Sequence, residues 1–276
     1  MFKITRKNIT VLLLIITIVI GTVAITGCIT DQSGTNVGPG VNGGSNNADL
    51  TGIWYSQFLQ GTSGHITNGV SGYMYVSPDN EAYLLIPGTG NSFSMLGAAG
   101  RFTTSGSTIT ASLTIYDDMG KPSGTLYIKN GIIQKDTTNG QSVTIFTGEY
   151  NGDAESFTGS GSCVLGLEDQ YNRPSSLSTI SGNWFFFDSD GKTTFSIDST
   201  GIISGGNEDG CVFSGSIDII DPKYNLYDIS HFEISNCDDP WYGNYKGLVS
   251  LPNPTGLEVV FLKTDGSFGF TMRFSR

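Results

Sequence analysis

Two histidines, four cysteines and a set of paired carboxylates are the residues of this chain whose types could do chemistry. Covalent or acid–base catalysis needs a nucleophile held beside a base. His65 falls in a Gly/Ser/Thr-rich stretch. His231 falls in an apolar-rich segment where alternation slips between Ile229 and Phe232, a pattern that predicts a bulge. No Gly-x-Ser-x-Gly, metal-type histidine pair or phosphate-binding glycine loop accompanies them, so both read as structural. The carboxylates cluster at Asp117-Asp118, Asp188-Ser189-Asp190-Gly191, Glu208-Asp209 and Asp238-Asp239. Asp188-x-Asp190-Gly191 has the alternate oxygen ligands with which a calcium loop begins. Lys192-Thr193-Thr194-Phe195 follow in place of further ligands, so a hairpin turn is the expectation. Glycoside hydrolysis would need one selected pair of carboxylates, and nothing selects one. The reading is no catalytic residue, no metal and no cofactor.

Aromatic residues point to binding instead. Trp184-Phe185-Phe186-Phe187 must place rings on both faces of a strand, because neighbours alternate. One face would be core, and the other an inter-domain contact or an exposed patch. Asp239-Pro240-Trp241-Tyr242-Gly243 places two large rings in a loop just after Cys237. Trp241 and Tyr242 are therefore the candidate binding residues, for a sugar or a protein partner. Their alternative role is to cap a barrel end.

The first thirty residues carry a different signal. Lys3, Arg6 and Lys7 precede an apolar run from Val11 to Ile20 broken by Thr17, and Ile25-Thr26-Gly27-Cys28 close it. That order is the order of an export signal, and its last four residues resemble the bacterial lipobox, in which the cysteine is lipidated and becomes the first mature residue. Cys28 is thus the expected lipidation site, and the partner it implies is the membrane. An uncleaved anchor over residues 9 to 26 is the alternative. Of the other three cysteines, Cys211 with Cys237 is the favoured pair in an exported compartment. Both lie in the C-terminal half, and Cys211 continues the alternating set Phe213, Gly215, Ile217, Ile219. The two pairings that involve Cys163 stay open, and Cys163 alone reads as a buried thiol.

The whole chain has a net charge of −11, and without the three basic residues ahead of Cys28 the balance falls to −14. Nucleic acid and anionic lipid surfaces would be repelled by it. Residues 29 to 48 are Gly, Ser, Asn and Thr with little apolar content, a flexible tether of roughly 25 Å by random-coil scaling.

Beyond the tether the apolar period is two. Ile109, Ala111, Leu113 and Ile115 alternate with polar neighbours, as do Phe268, Phe270, Met272 and Phe274. Turn signals recur at Pro78-Asp79-Asn80, Lys129-Asn130-Gly131, Thr138-Asn139-Gly140, Ser189-Asp190-Gly191 and Thr264-Asp265-Gly266. Leu50-Thr51-Gly52-Ile53-Trp54-Tyr55 is echoed by Ile180-Ser181-Gly182-Asn183-Trp184-Phe185, each copy followed by roughly eight strand candidates, with residues 172 to 179 as the joint. The expectation is an all-β chain of two antiparallel eight-stranded barrel-like domains: signal peptide 1–27, tether 28–49, N-terminal domain 50–172, C-terminal domain 173–276. One large sandwich is the alternative.

The Gly-x-Trp opening of each unit resembles the lipocalin superfamily, in which such a Trp plugs one barrel end. Nearly the whole chain after the signal is similar to a group of uncharacterised two-domain β-rich bacterial lipoproteins. The residues are Ser196-Ile197-Asp198, Gly201-Ile202-Ile203-Ser204-Gly205, Gly210-Cys211-Val212-Phe213-Ser214-Gly215, Asn225-Leu226-Tyr227-Asp228, Cys237 and Gly243-Asn244-Tyr245-Lys246-Gly247. This resemblance implies the fold and a cysteine pair at Cys211 and Cys237, and no activity.

The functional expectation is a lipid-anchored, extracytoplasmic lipoprotein of the cell membrane or outer membrane, a non-catalytic binding or structural module. A lipocalin-like carrier of a small apolar ligand is the second reading, against which the Phe268/Phe270/Met272/Phe274 stripe argues by suggesting filled interiors. An extracytoplasmic hydrolase is the third.

Overall fold

The computed structural model describes residues 49–276 except 65–69, 86–92, 96, 139–140, 155–156 and 189–190. The expected signal, the Cys28 lipidation site, all but the last residue of the tether, and His65 lie outside the described residues.

Alternation with glycine-rich turns produces strands, and strands dominate. The first barrel is built from β1 (Gly52–Gly64), β2 (Val70–Val76), β3 (Glu81–Leu85), β5 (Ala98–Ser105), β6 (Thr108–Tyr116), β7 (Pro122–Thr138), β8 (Gln141–Ala154) and β9 (Phe157–Leu167). Each pairs antiparallel with the next, and β9 returns to β1, closing the sheet. The second barrel runs through β10 (Gly182–Asp188), β11 (Gly191–Ile197), β12 (Ile202–Asn207), β13 (Val212–Ile219), β14 (Tyr227–Ser235), β15 (Gly243–Asn253), β16 (Gly256–Lys263) and β17 (Gly269–Ser275). It closes where Phe185 of β10 pairs with Ser275 of β17. The remaining strand, β4 (Phe93–Met95), lies in the β3–β5 connection of the first barrel yet pairs with the second. It adds to β17 at Phe270↔Met95, Thr271↔Ser94 and Met272↔Phe93.

The repeated opening does the same job twice. The Trp54 indole N–H donates to the Leu50 carbonyl at 2.8 Å, and that of Trp184 to the Ile180 carbonyl at 2.7 Å. Gly52 and Gly182 both hold positive φ, at 155° and 130°, so the chain can turn into each barrel below its Trp. Both indoles are buried, and the Arg276 guanidinium covers Trp184 at 4.3 Å.

The expected one-faced pattern holds in β6, whose buried residues alternate with exposed ones from Thr108 to Leu113. It fails in β3, β16 and the first half of β17, which are buried on both faces. These strands pack their outer faces on the other barrel. Ile53, Tyr75, Tyr83, Leu85 and Tyr116 of the first meet Leu226, Leu248 and Val260 of the second in a core of their own. At its centre the Tyr75 hydroxyl donates to Glu258 Oε2 at 2.6 Å and lies 2.9 Å from Ser250 Oγ. Arg273 and Glu258 form an ion pair there, as do Lys246 and Glu81.

Two local expectations meet different outcomes. The slip in β14 is present: the register with β15 shifts between Ile229 and Phe232, and His231 is exposed. Asn130-Gly131, read as a turn, instead forms a bulge inside the long strand β7, where the register shifts between Lys129 and Ile132. Asn130 takes φ 52° there, and a Cβ on Gly131 would stand 2.4 Å from the Phe146 ring, so the pair provides a kink and a close approach. Asp188 pairs with Gly191, which makes that segment a hairpin.

Candidate functional site

The second barrel is open at one end, where its mouth forms a recess of about 770 Å³. Inward positions of successive strands build it. Phe186 comes from β10, Thr193 and Phe195 from β11, Phe213 from β13, and Phe232 and Ile234 from β14. Phe261 of β16 and Phe270, Met272 and Phe274 of β17 complete the wall. The rings tile against one another: Phe232 stacks on Phe261 at 4.6 Å, Phe261 on Phe270 at 4.9 Å, and Phe195 lies 5.0 Å from Phe274. Phe195, Phe232, Phe261 and Phe270 are 0–1% exposed and fill the barrel beneath, while Phe213 (8%) and Met272 (9%) reach the open space. Of the β17 stripe, Phe268 packs against Trp241 and Phe270, whereas Phe270, Met272 and Phe274 line the recess. At the mouth the barrel is wider than its inward side chains can span.

The rim is polar and braced. Asn207 and Asp209 come from the β12–β13 turn, and Asn236, Asp238 and Asp239 from the β14–β15 loop. The Cys211–Cys237 disulfide ties these two connections together across 4.8 Å between Cα atoms. Asn207 Oδ1 accepts from the Cys211 N–H at 3.0 Å, and Asn236 Nδ2 donates to the Gly210 carbonyl at 2.6 Å. The β14–β15 loop is held from below as well. The Tyr245 hydroxyl, pushed above its ordinary pKa chiefly by burial, donates to the Trp241 carbonyl at 2.6 Å.

Trp241 and Tyr242, the candidate binding residues, part company. Trp241 is half-buried on the recess wall, edge-on to Phe268 at 4.9 Å and to Phe270 at 5.1 Å. Tyr242, 55% exposed, is not among the lining residues. Of the acidic pairs, Asp238-Asp239 and the second residue of Glu208-Asp209 reach the recess, whereas Asp117 secures a turn by accepting from the Met119 and Lys121 N–H groups. The β10 rings divide as alternation requires: Trp184 and Phe186 are buried, and Phe187 stands 64% exposed on the outer face. There Lys192 lies 4.0 Å over Phe185. Thr193, Phe213 and Met272 were not legible as site residues, since each also fits an ordinary inward strand position.

Cys163 is buried in the core of the first barrel, its thiol pushed up to about 12 by desolvation. Among the described residues no group of three or more His, Cys, Asp or Glu side chains is placed to hold a metal, and no helix is long and apolar enough to cross a membrane.

Neither a family model nor a curated protein matches the chain. Among solved structures it is similar to two mutants of transferrin-binding protein B, a vaccine antigen from Haemophilus parasuis Hp5, one a double mutant and one a single mutant. In each case the identity is 12% and the TM-score 0.24, over 76% of this chain. The chain matches 61% of the length of those proteins.

Proposed function

We propose that this chain is a lipid-anchored, extracytoplasmic binding module without catalytic activity, and that its binding site is the mouth of the second barrel. The observation that carries the reading is the recess of about 770 Å³ with ring-lined walls and a polar rim. That volume lies within the roughly 300–1,000 Å³ range of small-molecule sites. The disulfide and the Tyr245 hydroxyl fix the rim loops, so the site is preorganised and loses little entropy on binding. The address comes from the lipobox-like Ile25-Thr26-Gly27-Cys28 and the segment of Gly, Ser, Asn and Thr after it.

A carrier that wholly encloses an apolar molecule has less support. The lower barrel is filled by rings, and the recess opens to solvent past carboxylates. The ligand would instead sit partly exposed in the mouth.

Fluorescence titration of the purified full-length protein with the neutral probe N-phenyl-1-naphthylamine, against a detergent-only baseline, tests the site. Saturable one-to-one enhancement that Met272→Trp abolishes without lowering the melting temperature is the expected result. Enhancement unchanged in that variant would move the site out of the mouth.

A further inference from the structure

We propose that the mouth of the second barrel selects an organic ammonium: a flat apolar body carrying a cationic head. The inference rests on the reading of that mouth as a binding site and adds the ligand class.

The lining combines two features that favour one chemistry. Toward the floor, Phe213 and Met272 offer apolar surface among stacked rings. At the rim Asp209, Asp238 and Asp239 are all exposed, and the described lining residues include no Lys, Arg or His. Among the described ion pairs none involves these three carboxylates, so their charge is not neutralised within the protein. Asp209 accepts from Asn207 Nδ2 at 3.4 Å, a neutral donor that leaves the charge in place.

An ammonium head at the mouth would lie against this negative rim, which attracts a cation, while its apolar body meets Phe213 and Met272. A carboxylate on the same apolar body would be repelled by the rim. The net charge of −11 acts in the same direction at longer range, drawing cations to the surface.

Tryptamine and indole-3-acetate share one ring system and differ in the sign of the head group, which makes them the test pair. Calorimetric titration of the full-length protein at low ionic strength is expected to give tryptamine at least a tenfold advantage. The advantage shrinks in high salt, because the Debye length falls from about 10 Å at 0.1 M to about 3 Å at 1 M. Replacing Asp209→Asn, Asp238→Asn and Asp239→Asn together should bring the two probes to near parity. All three side chains are exposed, so the melting temperature should not move.

Equal binding of the two probes to the native protein would overturn the charge selection while leaving the mouth as a site. Tryptamine binding that ignores both salt and the triple substitution would also overturn it. Failure of both probes together with N-phenyl-1-naphthylamine would overturn the site itself.

Discussion

Removing the Cys211–Cys237 disulfide by the double substitution Cys211→Ser and Cys237→Ser should cost the fold about 3.5 kcal/mol. The two cysteines are 26 residues apart. On the chain-entropy model, closing a loop of that length removes about 12 cal/mol/K from the unfolded ensemble, which is about 3.5 kcal/mol at 25 °C. With an m-value of about 2.5 kcal/mol/M in urea, the unfolding midpoint should fall by about 1.4 M. The native structure itself should be kept, since Val212↔Ser235 and Phe213↔Ile234 hold the same two strands in register next to the bond. Equilibrium urea unfolding under non-reducing conditions, followed by far-UV circular dichroism, reads the shift. A loss below about 1 kcal/mol would refute the reasoning, because it would mean that the cross-link does not restrict the unfolded chain. Thiol titration of the parent protein supplies the check on pairing. With Cys28 lipidated no thiol should react in the native state, because Cys163 is buried, and Cys163 should become reactive on unfolding. After reduction three thiols should react if Cys28 carries a lipid, and four if it does not.

The junction between the barrels yields a second expectation. Tyr75→Phe removes a buried hydroxyl that donates to Glu258, and a hydrogen bond to a charged group is worth about 1.5–3 kcal/mol. Chemical denaturation should register a loss of about 2 kcal/mol, and a neutral result would mean the hydroxyl does not reach Glu258. Asp228 has its pKa raised from 3.8 by burial, then by Asp218, Asp79 and Glu81, with Lys246 opposing. A carboxyl whose folded pKa is raised loses the protein stability as pH climbs from the unfolded value through the folded one. Asp228→Asn should therefore raise the melting temperature at pH 7 and leave it unchanged near pH 3, and an equal gain at both pH values would contradict the titration. Trp241→Ala strips a half-buried ring from Phe268 and Phe270, and about 1–3 kcal/mol should go with it. Unchanged stability with lost probe binding would make the ring a pure ligand contact.

Much of this architecture is legible in the residues because one physical rule generates it. Alternation at Ile109–Ile115 marks an inward face, the Gly-x-Trp openings mark two barrel entries, and the slip between Ile229 and Phe232 marks a bulge. What escaped depends on residues far apart in sequence. Glu258 and Val260 are buried because another barrel covers them, and their own strand periodicity carries no trace of that cover. The addition of Phe93–Met95 to β17 depends on the same docking. Asn130-Gly131 supports a bulge as readily as a hairpin turn, since both need positive φ at Asn, and the strand pairing decides which forms. The recess escaped for a related reason. Phe270, Met272 and Phe274 read as filling side chains, and whether they fill or line depends on the distance to the opposite wall.

The central claim is that the mouth of the second barrel binds a ligand, and mapping a bound probe tests it most directly. In a methyl and amide chemical-shift titration of the full-length protein with tryptamine, the saturable shifts should cluster at Thr193, Phe213, Ile234, Asp238 and Met272. The core of the first barrel around Leu113 and Leu126 should stay still. Shifts confined to the first barrel, or spread over the surface without saturation, would contradict the account.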